Sequence, residues 1–242
     1  AYRKQLLSPG PDKFEVLTQA GLAAALELGL LAGDERPAAE QALVRKVLTA
    51  RGPDLKTGIF GTKFVLDSLS RAGRADVAYR LVDRLDFPGW GYMLERGATT
   101  LWEHWDFSDD TFSHNHPMFG SVSEWLFSWL AGIQPSPDAV GFDRIVIRPQ
   151  PVGDLTWAKG GVVTIRGEVR SEWRIEKGRF ILDVSIPPNT TAAVHIPGTD
   201  PAMIQESGRP ATVSEGVKVL GTEGGAVVFE IGSGRYSFVS KQ

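Results

Sequence analysis

Apolar residues recur at helical spacing in the first half of the chain and alternate with polar ones in the second, so two kinds of structure are expected in sequence. From Phe14 to Leu31 the positions Phe14, Leu17, Gly21, Ala24, Leu28 and Leu31 fall on one face of a helix, with Gly33 at the expected C-cap. Pro37 opens a second helix whose stripe is Leu43, Val44, Val47 and Leu48, closing near Gly52-Pro53. A third runs from about Lys63 to Ala72 on Val65, Leu66 and Leu69. A fourth, from about Ala75 to Asp86, carries Ala78, Leu81, Val82 and Leu85 and stops before Pro88. The last spans Phe119 to Ile133, with Val122, Trp125, Leu126, Trp129, Leu130 and Ile133 on one face. Short Gly-bearing connections predict antiparallel neighbours.

Past Pro135-Ser136-Pro137 the period changes. Odd positions from Val163 to Ile175 are mostly apolar and even ones polar, as a strand with one buried face requires. Lys177-Gly178 supplies a turn, and Phe180, Leu182, Val184 and Ile186 alternate on the return strand. Short strands follow at Ala192 to Ile196, Val217 to Leu220, Val227 to Ile231 and Tyr236 to Val239, with one before them at Ile145 to Arg148. The expected class is therefore α+β and multidomain. Residues 1–135 are helical and residues 136–242 form an antiparallel β-sandwich, the boundary falling near Gln134 to Asp138.

Composition narrows the chemistry. The 242 residues hold 26 basic and 29 acidic side chains, a net charge of -3 with no basic run, so neither a nucleic-acid nor a membrane partner is expected. No apolar stretch has the length of a bilayer span and no signal segment is present, which leaves the compartment open between bacterial cytoplasm and export. The polar start, Ala1 to Gln5, without Met, reads as a trimmed or partial polypeptide. Zero cysteines exclude disulfides and thiolate chemistry. Seven Trp against four His is the informative skew, because indole faces stack on the C–H surfaces of sugars, although most Trp residues serve in cores.

One segment follows neither period: Phe87 to Tyr92, Gly97 to Trp105 and Ser113 to Gly120 together hold Trp90, Tyr92, Trp102, Glu103, Trp105, His114 and His116. A carboxylate between two Trp residues is expected to be partly desolvated, its pKa moved toward the range useful for acid–base work; a surface or salt-bridged Glu103 is the plain alternative. His114 and His116, with His104, Asp109 and Asp110 nearby, also offer the ligand types of a metal site, or one His simply caps the next helix.

These residues carry a resemblance. Thr18-Gln-Ala-Gly-Leu-Ala-Ala-Ala-Leu, Leu55-Lys-Thr-Gly-Ile-Phe-Gly-Thr, Trp90-Gly-Tyr-Met, Gly97-Ala-Thr-Thr-Leu-Trp-Glu-His-Trp, Ser113-His-Asn-His-Pro-Met-Phe-Gly-Ser-Val and Leu130-Ala-Gly-Ile follow in the order of the C-terminal half of the catalytic domain of family 78 α-L-rhamnosidases. Phe142-Asp-Arg-Ile-Val-Ile-Arg-Pro, Leu155-Thr-Trp-Ala-Lys and Ile186-Pro-Pro-Asn-Thr-Thr-Ala resemble the β-domain after it. The resemblance implies part of an (α/α)6 toroid followed by the sandwich, and inverting hydrolysis of terminal α-L-rhamnosides; no cofactor or metal is expected. It puts Glu103 on the general base and His116 on a histidine that contacts rhamnose; Trp90, Tyr92 and Trp102 are expected pocket walls by position. It also implies that the general acid lies upstream, in a first half of the toroid that this chain lacks. The expected partners are then a rhamnoside and the N-terminal half of the same enzyme, whose helices would cover the open half-toroid. The competing expectation is a non-catalytic carbohydrate-binding or interaction fragment.

Overall fold

The structure, a computed structural model, describes residues 13 to 241; the run Ala1 to Gln5 lies outside them. They form two compact units, divided between Trp125 and Leu126. The first is helical. Helix α1 (Gln19–Glu27) begins at Thr18, whose hydroxyl accepts from Gly21 N at 3.1 Å, and ends where Gly29 turns left-handed at φ 63°. It is shorter than its apolar stripe predicts because both caps lie inside that stripe, and Leu28 is left exposed. Helix α2 (Arg36–Val47) has Pro37 in its first turn and stops at Val47, where Leu48–Thr49 (β1) and Gly52–Pro53 (β2) form a small hairpin in place of the further turn expected there.

Helix α3 (Gly61–Arg71) buries the predicted Val65, Leu66 and Leu69 between its neighbours; burying each contributes roughly 1.5–3 kcal/mol. Helix α4 (Ala75–Val82) ends a turn early: the Arg84 guanidinium takes the Asp86 carboxylate and the Pro53 carbonyl (2.8 Å), drawing the chain out of the helix. The chain then folds back so closely that a Cβ on Gly91 would meet the Arg84 carbonyl at 2.5 Å. That return starts α5 (Trp90–Glu95), a helix the apolar spacing did not reveal.

The expected last helix is three pieces: a 3-10 turn (Pro117–Gly120), α6 (Ser121–Trp125) and a π-helical turn (Leu126–Leu130) that opens the second unit. The π turn, closed by Ala131 N to Leu126 O at 3.0 Å, rotates the register. Trp129 and Leu130 are buried while Leu126, predicted on their face, is exposed.

The second unit packs two sheets around one core. One has the order β10-β9-β13-β7-β6-β5 and the other β11-β12-β8-β4-β3. Their ranges are β3 Ile133–Pro135, β4 Arg144–Ile147, β5 Trp157–Thr164, β6 Gly167–Glu176, β7 Arg179–Ile186, β8 Thr191–Pro197, β9 Gln205–Glu206, β10 Arg209–Pro210, β11 Val217–Glu223, β12 Ala226–Ile231 and β13 Gly234–Lys241. All pairs are antiparallel except β4 with β8, which run parallel. The single strand expected over Val163 to Ile175 is a hairpin: Thr164 Oγ accepts from Arg166 N and donates to Gly167 O (2.8 Å), turning the chain at Ile165-Arg166. Val163 and Ile165 are consequently exposed, and burial by alternation holds only from Val169 through Ser171 to Trp173. The Lys177-Gly178 turn is as predicted, both residues being left-handed, and Phe180, Leu182, Val184 and Ile186 enter the core with Ile145, Val194 and Phe229.

The carbonyls at the end of the π turn are satisfied by this sheet. Trp173 Nε1 donates to Leu130 O at 2.7 Å and Ser171 Oγ to Ala131 O at 2.6 Å. Gly132, at φ 78°, passes so near Arg148 and Pro149 that a Cβ would lie 2.2 Å from Pro149 N.

Candidate active site

The segment that neither period explained is held by backbone pairing and by side chains that bond to backbone. Leu101 to Glu103 runs against Ser113 to His116, with Glu103 N donating to Ser113 O and His116 N to Leu101 O, both at 2.8 Å. Thr100 Oγ closes the same ladder by donating to the His114 carbonyl. Between the two strips, beyond the buried Trp105, residues 106 to 112 make a largely exposed excursion.

Beneath them Trp90, Trp105 and Phe119 pack as a buried aromatic nest. Trp105 and Phe119 have ring centroids 3.9 Å apart, and Trp90 meets Trp105 edge-on at 5.1 Å. Each indole N–H is spent on a carbonyl, Trp105 on Thr57 (2.7 Å) and Trp90 on Phe119 (3.0 Å), which fixes the platform to the loop before α3 and to the 3-10 turn.

On this platform Glu103 is presented with a third of its side chain open to solvent. Its Oε2 accepts from Ser113 N at 3.0 Å and lies 3.9 Å from His116 Nδ1. Trp102 and Trp105 are both buried, the first with Phe107 and His114 as ring neighbours and the second with Trp90 and Phe119. Tyr92 is half-buried on α5; its hydroxyl is 3.3 Å from Asp106 Oδ1, and the Arg96 guanidinium lies 4.3 Å from its ring centre.

The two histidines do different work. His114 stacks on Phe107 with centroids 4.3 Å apart and sets Nε2 2.5 Å from Ser108 O, so it closes the excursion on itself. His116 faces Glu103. No three His, Asp or Glu side chains converge as metal ligands among the described residues. Of the residues predicted from sequence, the structure brings Glu103 and His116 together, sets Trp90 and Trp102 into the packed layer, and places Tyr92 beside Asp106. The supporting roles of Ser113, Thr100 and Thr57 were not foreseen, because backbone partners leave no residue-type signal.

The model of the bacterial alpha-L-rhamnosidase 6 hairpin glycosidase domain matches residues 1–130, and that of the bacterial alpha-L-rhamnosidase C-terminal domain matches residues 132–210. The chain belongs to the bacterial α-L-rhamnosidase family. It is 38% identical over 229 residues to an alpha-L-rhamnosidase of Streptomyces avermitilis, covering 91% of this chain and 21% of that protein. An alpha-L-rhamnosidase of Formosa agariphila is 30% identical over the full chain, which covers 27% of it. The crystal structure of the Streptomyces avermitilis alpha-L-rhamnosidase complexed with L-rhamnose superposes with a TM-score of 0.88 at 34% identity, over 99% of this chain and 23% of that one. The structure of the alpha-L-rhamnosidase from Dictyoglumus thermophilum gives 0.86 at 31%, over 100% and 27%. The chain thus spans about a quarter of these rhamnosidases and carries part of the six-hairpin domain followed by the C-terminal domain of mainly antiparallel sheets.

Proposed function

We propose that this chain is the part of an inverting α-L-rhamnosidase that supplies the general base and one wall of the sugar pocket, for release of terminal non-reducing α-L-rhamnose. The observation that carries the reading is the Glu103–His116 couple, a carboxylate positioned by the Ser113 amide and faced by an imidazole at 3.9 Å on a rigid aromatic floor. In this role Glu103 takes a proton from water as the water oxygen attacks the anomeric carbon. The bond to the departing oxygen breaks on the opposite face as an acid protonates it, which inverts the centre. The two carboxyl groups of such a pair stand roughly 6.5–9.5 Å apart to leave room for the water.

The family resemblance puts the acid in the upstream half of the six-hairpin domain, outside this chain, and the N-terminal part of the same enzyme is the proposed partner. His116 is assigned to a rhamnose hydroxyl, with Tyr92, Trp90 and Trp102 forming or backing the pocket wall. Residues 1–135 are the catalytic portion and 136–242 the sandwich that follows it. A second reading, a sugar-binding module without turnover, is favoured by the β-sandwich that makes up the second unit.

Release of p-nitrophenol from its α-L-rhamnoside, by the chain alone and mixed with the upstream half, decides between them. Activity only in the mixture, abolished by Glu103→Gln, is the expected result. Activity of the chain alone would place the acid within these residues, and a silent mixture would favour the binding reading.

A further inference from the structure

Six of the seven tryptophans are buried at 8% exposure or less; Trp157 is 62% exposed. It stands on β5, where Ala158 and Val162 turn inward against the core, so that Trp157 and Lys159 lie on the outward face of the six-stranded sheet. The register extends that face across three more strands. Trp157 pairs with Arg174, Glu172 with Asp183, Asp183 with Ser237, Arg170 with Ser185 and Ser185 with Arg235.

Over Arg170, Glu172, Asp183, Ser185, Arg235 and Ser237 lies an open cleft of about 600 Å³, within the size range of small-ligand sites. Trp157 is about 7 Å along the strand and about 5 Å across from Glu172 at its edge, within reach of two linked pyranose rings.

The polar groups of the cleft are already oriented. Asp183 accepts from Ser237 Oγ at 2.6 Å and pairs with Arg174 at 2.6 Å, while Arg170 pairs with Glu168 at 2.9 Å. A carboxylate has more acceptor positions than these partners use, and vicinal sugar hydroxyls are donors spaced to take them. Arg235 is exposed and forms no ion pair among the described residues, leaving its donors for ring or hydroxyl oxygens. Three carboxylates line the cleft against two guanidiniums, a balance that gives an anion no advantage and suits a neutral polyhydroxylated ligand.

We propose that the outward face of this sheet is a second sugar-binding site, taking a neutral glycan chain several rings long by stacking one ring on Trp157 and hydrogen-bonding the rings that follow to Glu172, then Asp183, then Arg235. The site is separate from the Glu103 chemistry and stands whether or not that reading does.

The test is native gel electrophoresis of this chain through soluble xyloglucan, mixed-linkage β-glucan, galactan and arabinan, with polygalacturonate as the acidic comparison. Retardation by at least one neutral polysaccharide is expected. Trp157→Ala should weaken it about tenfold and Arg235→Ala about fivefold, as expected for losing one stack or one charged hydrogen bond. Glu103→Gln should leave it unchanged. Both sheet variants alter exposed side chains, and an unchanged melting temperature would verify the fold. No retardation by any neutral polysaccharide, retardation by polygalacturonate alone, or binding indifferent to Trp157→Ala would each overturn the proposal.

Discussion

The sandwich and the segment from Phe87 to Gly120 solve the same problem, fixing side chains in place, by opposite means. In the sandwich a period of two sends Phe180, Leu182, Val184 and Ile186 into one core, and the ladder satisfies the backbone regardless of which residues are used. In the Phe87 to Gly120 segment there is little ladder. Position is set by two backbone bonds, Glu103 N to Ser113 O and His116 N to Leu101 O, and by single bonds from particular side chains, Trp105 to Thr57 O, Trp90 to Phe119 O and Thr100 to His114 O. The first arrangement tolerates exchange of one apolar residue for another. The second loses a specific bond when Trp90, Thr100 or Trp105 is changed, and it is the one that presents Glu103.

The sharpest test of that contrast acts on chemistry without touching packing. In the enzyme reconstituted with its upstream half, Glu103→Gln keeps the Ser113 amide partnered but removes the proposed base, and kcat should fall about 10²–10⁴-fold with the melting temperature unchanged. A modest loss, within an order of magnitude, would move the base elsewhere. The converse substitution is Trp173→Ala. It opens a cavity in the sandwich and strands the Leu130 carbonyl, and should cost about 3–5 kcal/mol in urea unfolding, with amide exchange accelerated in β6 and β7. Between these stands Trp105→Phe, which preserves the aromatic nest but leaves the Thr57 carbonyl without its donor. A loss of about 1–3 kcal/mol is expected, with a fall in kcat at little change in KM as the Glu103 strip loosens. Equal stability with full activity would mean that the nest holds by shape alone.

How much of this was legible follows the same division. Helix positions came from the stripe of α3 and from Pro37, and the turn at Lys177-Gly178 from residue type, because each is a local property of the chain. The late start of α1 and the early end of α4 depend on Thr18 reaching Gly21 and Arg84 reaching Pro53, and the second of these joins residues far apart in sequence. The hairpin at Ile165-Arg166 was hidden by an alternation that continued through it; the Arg166 guanidinium, 3.3 Å from Gly141 O and 3.2 Å from Asn189 O, anchors that turn by contacts no local pattern announces. At the site, residue types pointed to Glu103 and offered His114 and His116 alike, and the family resemblance singled out His116, whereas the separate fate of His114 depends on where the excursion brings the Ser108 carbonyl.

The smallest expected effect belongs to the sandwich and concerns His195, whose environment is polar on a scaffold otherwise built by alternation. It is buried on β8, and its Nδ1 has no hydrogen-bond partner. Burial, aided by the Arg148 guanidinium and opposed by the Glu223 carboxylate, holds its pKa below that of a free histidine. The folded state therefore binds fewer protons at this site than the unfolded state. Its stability contribution is intact above the unfolded value near 6.5 and declines as pH falls from there toward the depressed folded value. Urea midpoints between pH 7.5 and about 5, above the range where most carboxylates titrate, should drop for the wild-type chain and drop less for His195→Leu. The substitution also removes a buried polar atom that nothing satisfies, so at pH 7.5 the variant should be as stable as the parent or slightly more so. A variant with the same pH slope as the parent would move the titrating group elsewhere. A large loss at pH 7.5 would mean that the imidazole is held by packing the alternation does not explain.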